Sequence, residues 1–406
     1  MVMKLKKYVL IYSVLLIGAL IFIWGLFNVS FADANHKSAL DSAITMNIMS
    51  YDVGERKFVL KNVFETNDFP YEAEVVAENL HVPWAIAVSG EGRLYFTERS
   101  GTIRVIEDGK LRQQPLITFG EPFISLEEGG LMGIVLDPNF SQNHYIYVMH
   151  TYAEGNQIYN RVVRLIERNN RASIDRVLLD KIPGGRIHNG GRLKIGPDQK
   201  LYITTGDAQN AALAQDSASL AGKILRIELD GGIPDDNPFA GSAVYSLGHR
   251  NPQGLAWNRD RTLYASEHGA TAHDEINIIK SGANYGWPLV QGDEDEREDK
   301  IQKPLIHSGE DTWAPSGIAF VNQGPWQGKL LVAALSGEEL LTISLNEDGT
   351  KVNRIESWLK GEFGRLREVI QAEDGSIYLT TSNMDGRGDP HAADDKIIRL
   401  VQKTMN

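Results

Sequence analysis

The stretch from His188 to Asp207, HNGGRLKIGPDQKLYITTGD, reads as a two-stranded hairpin. Leu193 and Ile195 alternate with polar neighbours, Gly196-Pro197-Asp198 makes a turn, and Leu201, Ile203 and Thr205 alternate again. A hairpin returns its second end to its first. His188 precedes the first strand and Asp207 follows the second, so the two can meet although nineteen positions separate them. A carboxylate beside an imidazole fixes its tautomer and supports its basicity, which is what a general base requires. The spacing also suits a plainer arrangement, in which His188 caps one turn and Asp207 closes another.

The same unit recurs on both sides of this hairpin. An apolar pair leads through a Gly, Pro or Asp turn into a strand of the form Leu-Tyr-x-Thr, then a polar loop and a last apolar strand. Upstream are Trp84-Ala85-Ile86 with RLYFTER and TIRVIED, and GLMGIVLDPNF with YIYVMHTY and RVVRLIE. The central hairpin itself continues into KILRIELDG. Downstream come GLAWNRD with TLYASEHG and DEINIIK, GIAFVNQ with KLLVAAL and LLTISLNEDG, and REVIQAEDG with SIYLTTSN and KIIRLVQ. The units begin near Trp84, Gly130, Gly190, Pro252, Pro315 and Arg367, at intervals of roughly 46 to 63 residues, the range of propeller blades with long loops. Short strands without a strongly amphipathic helix exclude a parallel α/β sheet, and a β-sandwich would not repeat its turn chemistry six times. The expected fold is all-β, a six-bladed β-propeller over residues 71–406, whose ring leaves only short, protected edges.

The 406 residues include 41 Lys plus Arg against 53 Asp plus Glu, a net charge of −12 that does not point to nucleic-acid binding. There is no cysteine, which removes disulfides, thiolate metal sites and cysteine nucleophiles together; a metal would need oxygen or imidazole ligands. The N-terminus has its own character. Lys4, Lys6 and Lys7 precede an uncharged, mostly apolar run from Tyr8 to Phe27, long enough to span a bilayer as a helix. Residues 1–32 therefore read as a signal-anchor helix or, with Ser30-Phe31-Ala32 as a cleavage site, a signal peptide. Either way the body is expected outside the cytoplasm, with any membrane contact through this helix alone. Residues 33–70 are polar, lack sustained periodicity and read as a tether.

The fourth unit is dense in unusual residues: GHRNPQGLAW from Gly248, SEHGATAHDEINII from Ser266 and NYGWP from Asn284. His249-Arg250-Asn251 joins a planar cation to an amide donor, a combination suited to an anionic or carbonyl-bearing ligand, although such runs also form simple turns. Asp274-Glu275, the backbone of Asn284-Tyr285-Gly286, and Asp293, Glu294 and Asp295 offer hard oxygen ligands for Ca2+ at loop spacing. The DEDERED run by itself reads equally as a solvated acidic loop.

Taken together these blocks resemble the glucose/sorbosone dehydrogenase family, soluble aldose sugar dehydrogenases that use pyrroloquinoline quinone (PQQ) on a six-bladed propeller. The resemblance runs from about Tyr71 to Val401. It rests on PWAI at Pro83, EEGGLMGIVLDPNF from Glu127, HNGGRLKIGPDQKLYITTGD, SLAGKILRIELDGGIPDDNPF from Ser219, GHRNPQGLAW, EHGATAHDEINIIKSGANYGWP, and RLREV at Arg365. It implies oxidation of an aldose at its anomeric carbon to the lactone, with electrons passed to an external acceptor. His188 then resembles the general base and Asp207 the carboxylate that orients it. Arg250 and Asn251 match residues that contact the quinone, where a cation stabilises negative charge developing on the reduced carbonyl. Glu128 falls at a cofactor-contacting position, and Arg365 and Arg367 resemble the pair that meets the quinone's carboxylates. Gly269 and Ala270 fall where backbone carbonyls hold the cofactor's Ca2+, a Lewis acid on the quinone. Glu275, Tyr285 through its carbonyl, and Asp295 match a second, structural calcium site.

The chain departs from this pattern in two places. Ser336, followed by Gly337 and the acidic pair Glu338-Glu339, stands where glucose-oxidising members carry a lysine on the cofactor, and Ala270 replaces the more usual proline. Loss of that cation is expected to weaken binding of a tricarboxylate by about 1–3 kcal/mol. Two other functions fit the same architecture: a non-enzymatic binding propeller, as in hedgehog-interacting protein, and a Ca2+-dependent sugar lactonase.

Overall fold

The chain is described by a computed structural model over residues 63–65, 68–292 and 300–403. The expected N-terminal helix, most of the expected tether, and Asp295 lie outside the described residues. Among the described residues no helix is long and apolar enough to cross a membrane.

The strands form six antiparallel sheets arranged as blades. Their innermost strands are Pro83–Val88, Leu131–Leu136, Leu193–Ile195, Pro252–Trp257, Pro315–Phe320 and Leu366–Gln371. These fall at the repeat starts expected from the sequence. Each innermost strand contacts those of the blades before and after it, and the sixth contacts the first, so the ring is closed. Closure uses a strand from the opposite end of the chain: Tyr71–Ala77 forms the outer edge of the sixth blade, pairing antiparallel with Ile397–Gln402 in the register Tyr71↔Gln402 to Ala77↔Ile397. Val63–Glu65, within the stretch read as a tether, adds a parallel edge strand to the fifth blade opposite Ile355–Ser357.

The second strand of a blade shows why the Leu-Tyr-x-Thr signature recurs. Leu94–Glu98, Leu201–Thr205, Leu263–Glu267 and Leu330–Ala334 are buried at every position, on both faces. A blade is sandwiched between two neighbours, so alternating side chains enter two different interblade cores. Tyr95, Phe96, Ile203, Tyr264 and Leu331 are all fully buried in this way. Apolar burial between blades, at roughly 25 cal/mol per Å² of apolar surface removed from water, is the main favourable term holding the ring.

The centre of the ring is polar. Arg192, at the entry to the third blade, forms an ion pair with Glu368 on the innermost strand of the sixth blade, directly across the ring; both side chains are 1% exposed. Its Nε donates to the Gln253 carbonyl of the fourth blade at 2.8 Å, and its guanidinium lies 4.3 Å from the ring centre of Trp84 in the first. One side chain thus touches elements of four blades. Lys194 is also drawn toward Glu368, and burial holds its ammonium below the usual lysine range. Glu368→Gln leaves two cations at the axis without their counter-charge, and should cost about 3–5 kcal/mol of unfolding free energy in denaturant titration. A loss below 1 kcal/mol would show that the pair does not tie the blades.

Candidate active site

The hairpin that begins the third blade pairs Leu193 with Ile203, Lys194 with Tyr202 and Ile195 with Leu201, and the Gly196–Lys200 turn closes it. Its two ends meet: His188 Nδ1 lies 2.8 Å from Asp207 Oδ1. His188 takes a left-handed backbone conformation (φ 59°) and folds its carbonyl against Gly206. A Cβ at Gly206 would sit 2.1 Å from that carbonyl oxygen, so glycine is required for the two ends to close. The loop before His188 is fixed from behind. Asn189 accepts the Gly185 amide at 3.0 Å and donates to its carbonyl at 2.9 Å, while Asn160 of the second blade donates to the Asn189 oxygen at 2.9 Å.

Asp207 is 2% exposed and accepts three hydrogen bonds: from His188, from the Trp287 indole at 2.8 Å and from the Gln209 amide at 2.9 Å. Burial opposes ionisation, but these donors outweigh it and hold the carboxyl below the usual aspartate range. An ionised carboxylate only accepts, so the Nδ1 of His188 that faces Asp207 carries a proton and donates to it. The Asp207 amide donates to the Arg250 carbonyl at 2.8 Å, which brings the HRN turn of the fourth blade beside the pair. His249 of that turn is a structural residue, buried between Ser246 and Glu267 and stacked on Tyr285. Arg250 lies over the Trp287 ring at 5.4 Å, and Asn251 accepts the Gly190 amide at 3.0 Å.

Above the axis is a small cavity, about 50 Å³, lined by Trp84, Glu128, Asn189, Gly190, His268, Ser336 and four arginines, Arg99, Arg365, Arg367 and Arg387. Glu128 joins it to the histidine: Oε2 accepts the His188 amide at 2.8 Å and Oε1 pairs with Arg387 at 2.8 Å. Arg365 and Arg367 share Asp385, at 3.0 and 3.3 Å, and Arg367 also donates to Ser382. Burial pulls Arg367 down to about 10 against the pull of Asp385, whose own carboxyl its arginines hold low despite burial. Ser336 is exposed into this cavity, whereas Glu339 of the neighbouring acidic pair is buried against Ser357 and adds no charge to it. His188, Asp207, Glu128, Arg250, Asn251, Arg365 and Arg367 are thus brought to one side of the ring.

Three polar atoms here are buried without a partner: Arg250 Nε, Asn251 Nδ2 and His268 Nε2. Burial pulls the His268 imidazole down to about 3, so it stays neutral. Buried polar groups are rarely left unmatched; His268 lines the arginine-rich cavity and, with Arg250, a smaller one beside Trp287, and such orphans fit an anionic, hydrogen-bonding ligand. A tricarboxylate quinone is such a ligand.

The expected calcium ligands Gly269, Ala270, Glu275 and Tyr285 line a second small cavity, together with Arg250, His268 and Trp287. Among the described residues the Gly269 and Ala270 carbonyls accept no hydrogen bond, which leaves them open to a cation. Asp274 is committed elsewhere, accepting the amides of Gly269, Trp313 and Ala314. Burial, with Glu267 nearby, pushes the Glu275 carboxyl up to about 8, a cost that a bound cation would reverse. No cluster of three or more His, Asp or Glu side chains surrounds a common point among the described residues, so calcium here would depend on backbone oxygens.

Sequence reading did not single out Arg99, His268, Trp287, Asp385 or Arg387. A positional signal for three of them was present. Asp207 follows the central strand of its blade, and Arg99, His268 and Asp385 follow the corresponding strands of the first, fourth and sixth, all of which open toward the same side.

Residues 80–399 match the family described as glucose/sorbosone dehydrogenase. The chain is 32% identical over 340 residues to the aldose sugar dehydrogenase YliI of Escherichia coli, covering 77% of this chain and 90% of that protein. It is 32% identical over 314 residues to quinoprotein glucose dehydrogenase B of Acinetobacter calcoaceticus, covering 65% and 64%. The PQQ-bound aldose sugar dehydrogenase of Streptomyces coelicolor superposes with a TM-score of 0.75 at 38% identity, covering 82% of this chain and 98% of that one. The family match over residues 80–399, with a relative 32% identical across 77% of this chain, places this chain in the glucose/sorbosone dehydrogenase family.

Proposed function

We propose that the protein is a PQQ- and Ca2+-dependent aldose dehydrogenase that oxidises the anomeric carbon of a sugar to its lactone and passes the electrons to an external acceptor. The observation that carries this reading is the His188–Asp207 pair, joined through Glu128 to a cavity rich in arginine and edged by unmatched donors. PQQ, when bound, supplies the two-electron acceptor that the side chains lack.

The remaining chemistry belongs to the chain. His188 Nε2 takes the proton of the anomeric hydroxyl, and Asp207 stabilises the imidazolium that results, since its carboxyl is already held ionised. Trp287 keeps Asp207 from rotating away, and Glu128 fixes the backbone of His188. Arg250, stacked on Trp287 with Nε free, is placed to donate toward a carbonyl that gains negative charge. Arg365 and Arg367 hold ligand carboxylates while Asp385 keeps the two guanidinia in register. Asn251 offers its free Nδ2 on the same side. Gly269 and Ala270, through their carbonyls, would hold the cofactor's calcium, and Glu275 and Tyr285 a structural one. Lys4 to Phe27 supports export of the body, as a membrane-anchored or secreted protein outside the cytoplasm.

Addition of PQQ with Ca2+ should make the purified protein reduce an artificial electron acceptor in the presence of aldoses. Binding of PQQ without turnover would point to a ligand-binding propeller, and hydrolysis of sugar lactones without PQQ to a lactonase. His188→Gln should lower sugar-dependent turnover by about 10²–10⁴ with PQQ affinity and thermal stability retained, because only the proton acceptor is lost. Equal turnover in the variant would remove His188 from the reaction. Calcium should raise the melting temperature of the wild-type protein, and Glu275→Gln should abolish most of that rise; calcium-independent melting of the wild type would rule out a stabilising site at Glu275.

A further inference from the structure

Of the four arginines that line the cavity above the axis, three contact carboxylates: Arg365 and Arg367 share Asp385, and Arg387 pairs with Glu128. Arg99 has no carboxylate within salt-bridge distance among the described residues. Its one side-chain hydrogen bond is to the Asp385 carbonyl, at 3.3 Å. Its backbone is firmly placed, with the amide donating to Val82 and the carbonyl accepting from Leu131, so the half-buried side chain is set between the first and second blades. Gly130 is part of that placement: a Cβ there would sit 2.2 Å from the Arg99 carbonyl oxygen and 2.8 Å from its Cγ. A half-buried guanidinium with one long bond to a neutral oxygen is costly unless an anion arrives to match it.

The surroundings leave room for that anion. Arg99 feels Asp385, Glu128 and Asp395 only at longer range, and burial outweighs their pull and holds its guanidinium below the usual arginine range. The cavity wall formed by the fifth blade carries Leu335 and Ser336 and no cation. Counting only the side chains that line the cavity, four arginines face Glu128 and Asp385, a formal balance of 4 − 2 = +2. One unit of the surplus comes from Arg365 and Arg367 sharing the single carboxylate of Asp385, and the other is carried by Arg99.

We propose that Arg99 is a cofactor-binding residue, whose guanidinium matches a carboxylate of the bound quinone and supplies the positive charge that Ser336 does not. This rests on the PQQ reading above. The residue would contact the ligand at its carboxylate end and take no part in proton transfer.

Binding of PQQ to the apoprotein, followed by fluorescence or absorbance titration without sugar, tests the assignment. Arg99→Gln should weaken PQQ by about 10- to 100-fold, the range expected for loss of one charged hydrogen bond, and should flatten the salt dependence of affinity. Arg99→Lys, which keeps the charge, should restore much of the loss. PQQ trimethyl ester, which lacks the carboxylate charges, should bind wild type and Arg99→Gln alike. Arg164→Gln, on the outer part of the second blade where Arg164 pairs with Asp175, serves as a control for net charge and should leave affinity unchanged. Wild-type affinity in Arg99→Gln overturns the assignment while leaving the PQQ reading intact. Equal losses in Arg99→Gln and Arg99→Lys, or an equal loss for the ester, show a structural role and overturn it as well. Failure of the wild-type protein to bind PQQ overturns the PQQ reading, and the assignment with it.

Discussion

A single guanidinium at the axis sets much of what surrounds it. Arg192 leaves the third blade, pairs with Glu368 of the sixth, donates to the backbone of the fourth and lies over Trp84 of the first. Arg367 approaches the same Trp84 ring, 5.7 Å from its centre. Trp84 therefore meets both a cation buried at the axis and one that lines the cavity, and so forms a floor whose position is fixed from several blades at once. Such a buried pair adds little net stability compared with an apolar core, but leaving either partner alone is costly. Its value is positional: blades that must present side chains toward one cavity are held at a common centre.

The same economy governs the charges above the floor. The chain is acidic overall, with a net charge of −12, yet the cavity above the axis is lined by four arginines. Concentrating cations in a partly desolvated space is unfavourable by itself. Asp385 and Glu128 offset it, and each is also a spacer, Asp385 between Arg365 and Arg367, Glu128 between Arg387 and the His188 amide. Charges fixed by their own partners need not reorganise when a ligand arrives, which is the condition under which fixed dipoles and cations are most effective. The histidine is set in the same manner, by Asp207 on its ring, Glu128 on its backbone and the Asn160–Asn189 chain behind its loop.

How much of this could be read in the sequence depended on the range of the interaction. The hairpin of the third blade was legible because its strands are adjacent and its turn is marked by Gly196-Pro197-Asp198; the meeting of His188 and Asp207 follows from that local geometry. The Leu-Tyr-x-Thr strand was legible as a repeat, and the stacking of each blade between two neighbours, which buries both of its faces, has no local signature. Closure of the ring by Tyr71–Ala77 on Ile397–Gln402 joins opposite ends of the chain and has no local signature. Nor does the Arg192–Glu368 pair, since Arg192 reads as one polar residue in a turn and Glu368 as the polar half of an alternating strand. The resemblance to known dehydrogenases reached Arg365 and Arg367, but Asp385, which holds both, stands in an unremarked polar loop after the sixth blade's central strand. What would have exposed it is register: residues following equivalent strands open on the same side.

The account turns on whether this cavity carries a quinone that the His188 side of the site can reduce with a sugar. The most direct measurement is a single turnover: protein loaded with PQQ and Ca2+, held without oxygen or any other acceptor, is mixed with an excess of aldose while the absorbance of the quinone is followed. The account predicts stoichiometric loss of the oxidised quinone spectrum with release of one lactone per site. A quinone that binds but remains oxidised through prolonged exposure to a range of aldoses would contradict it.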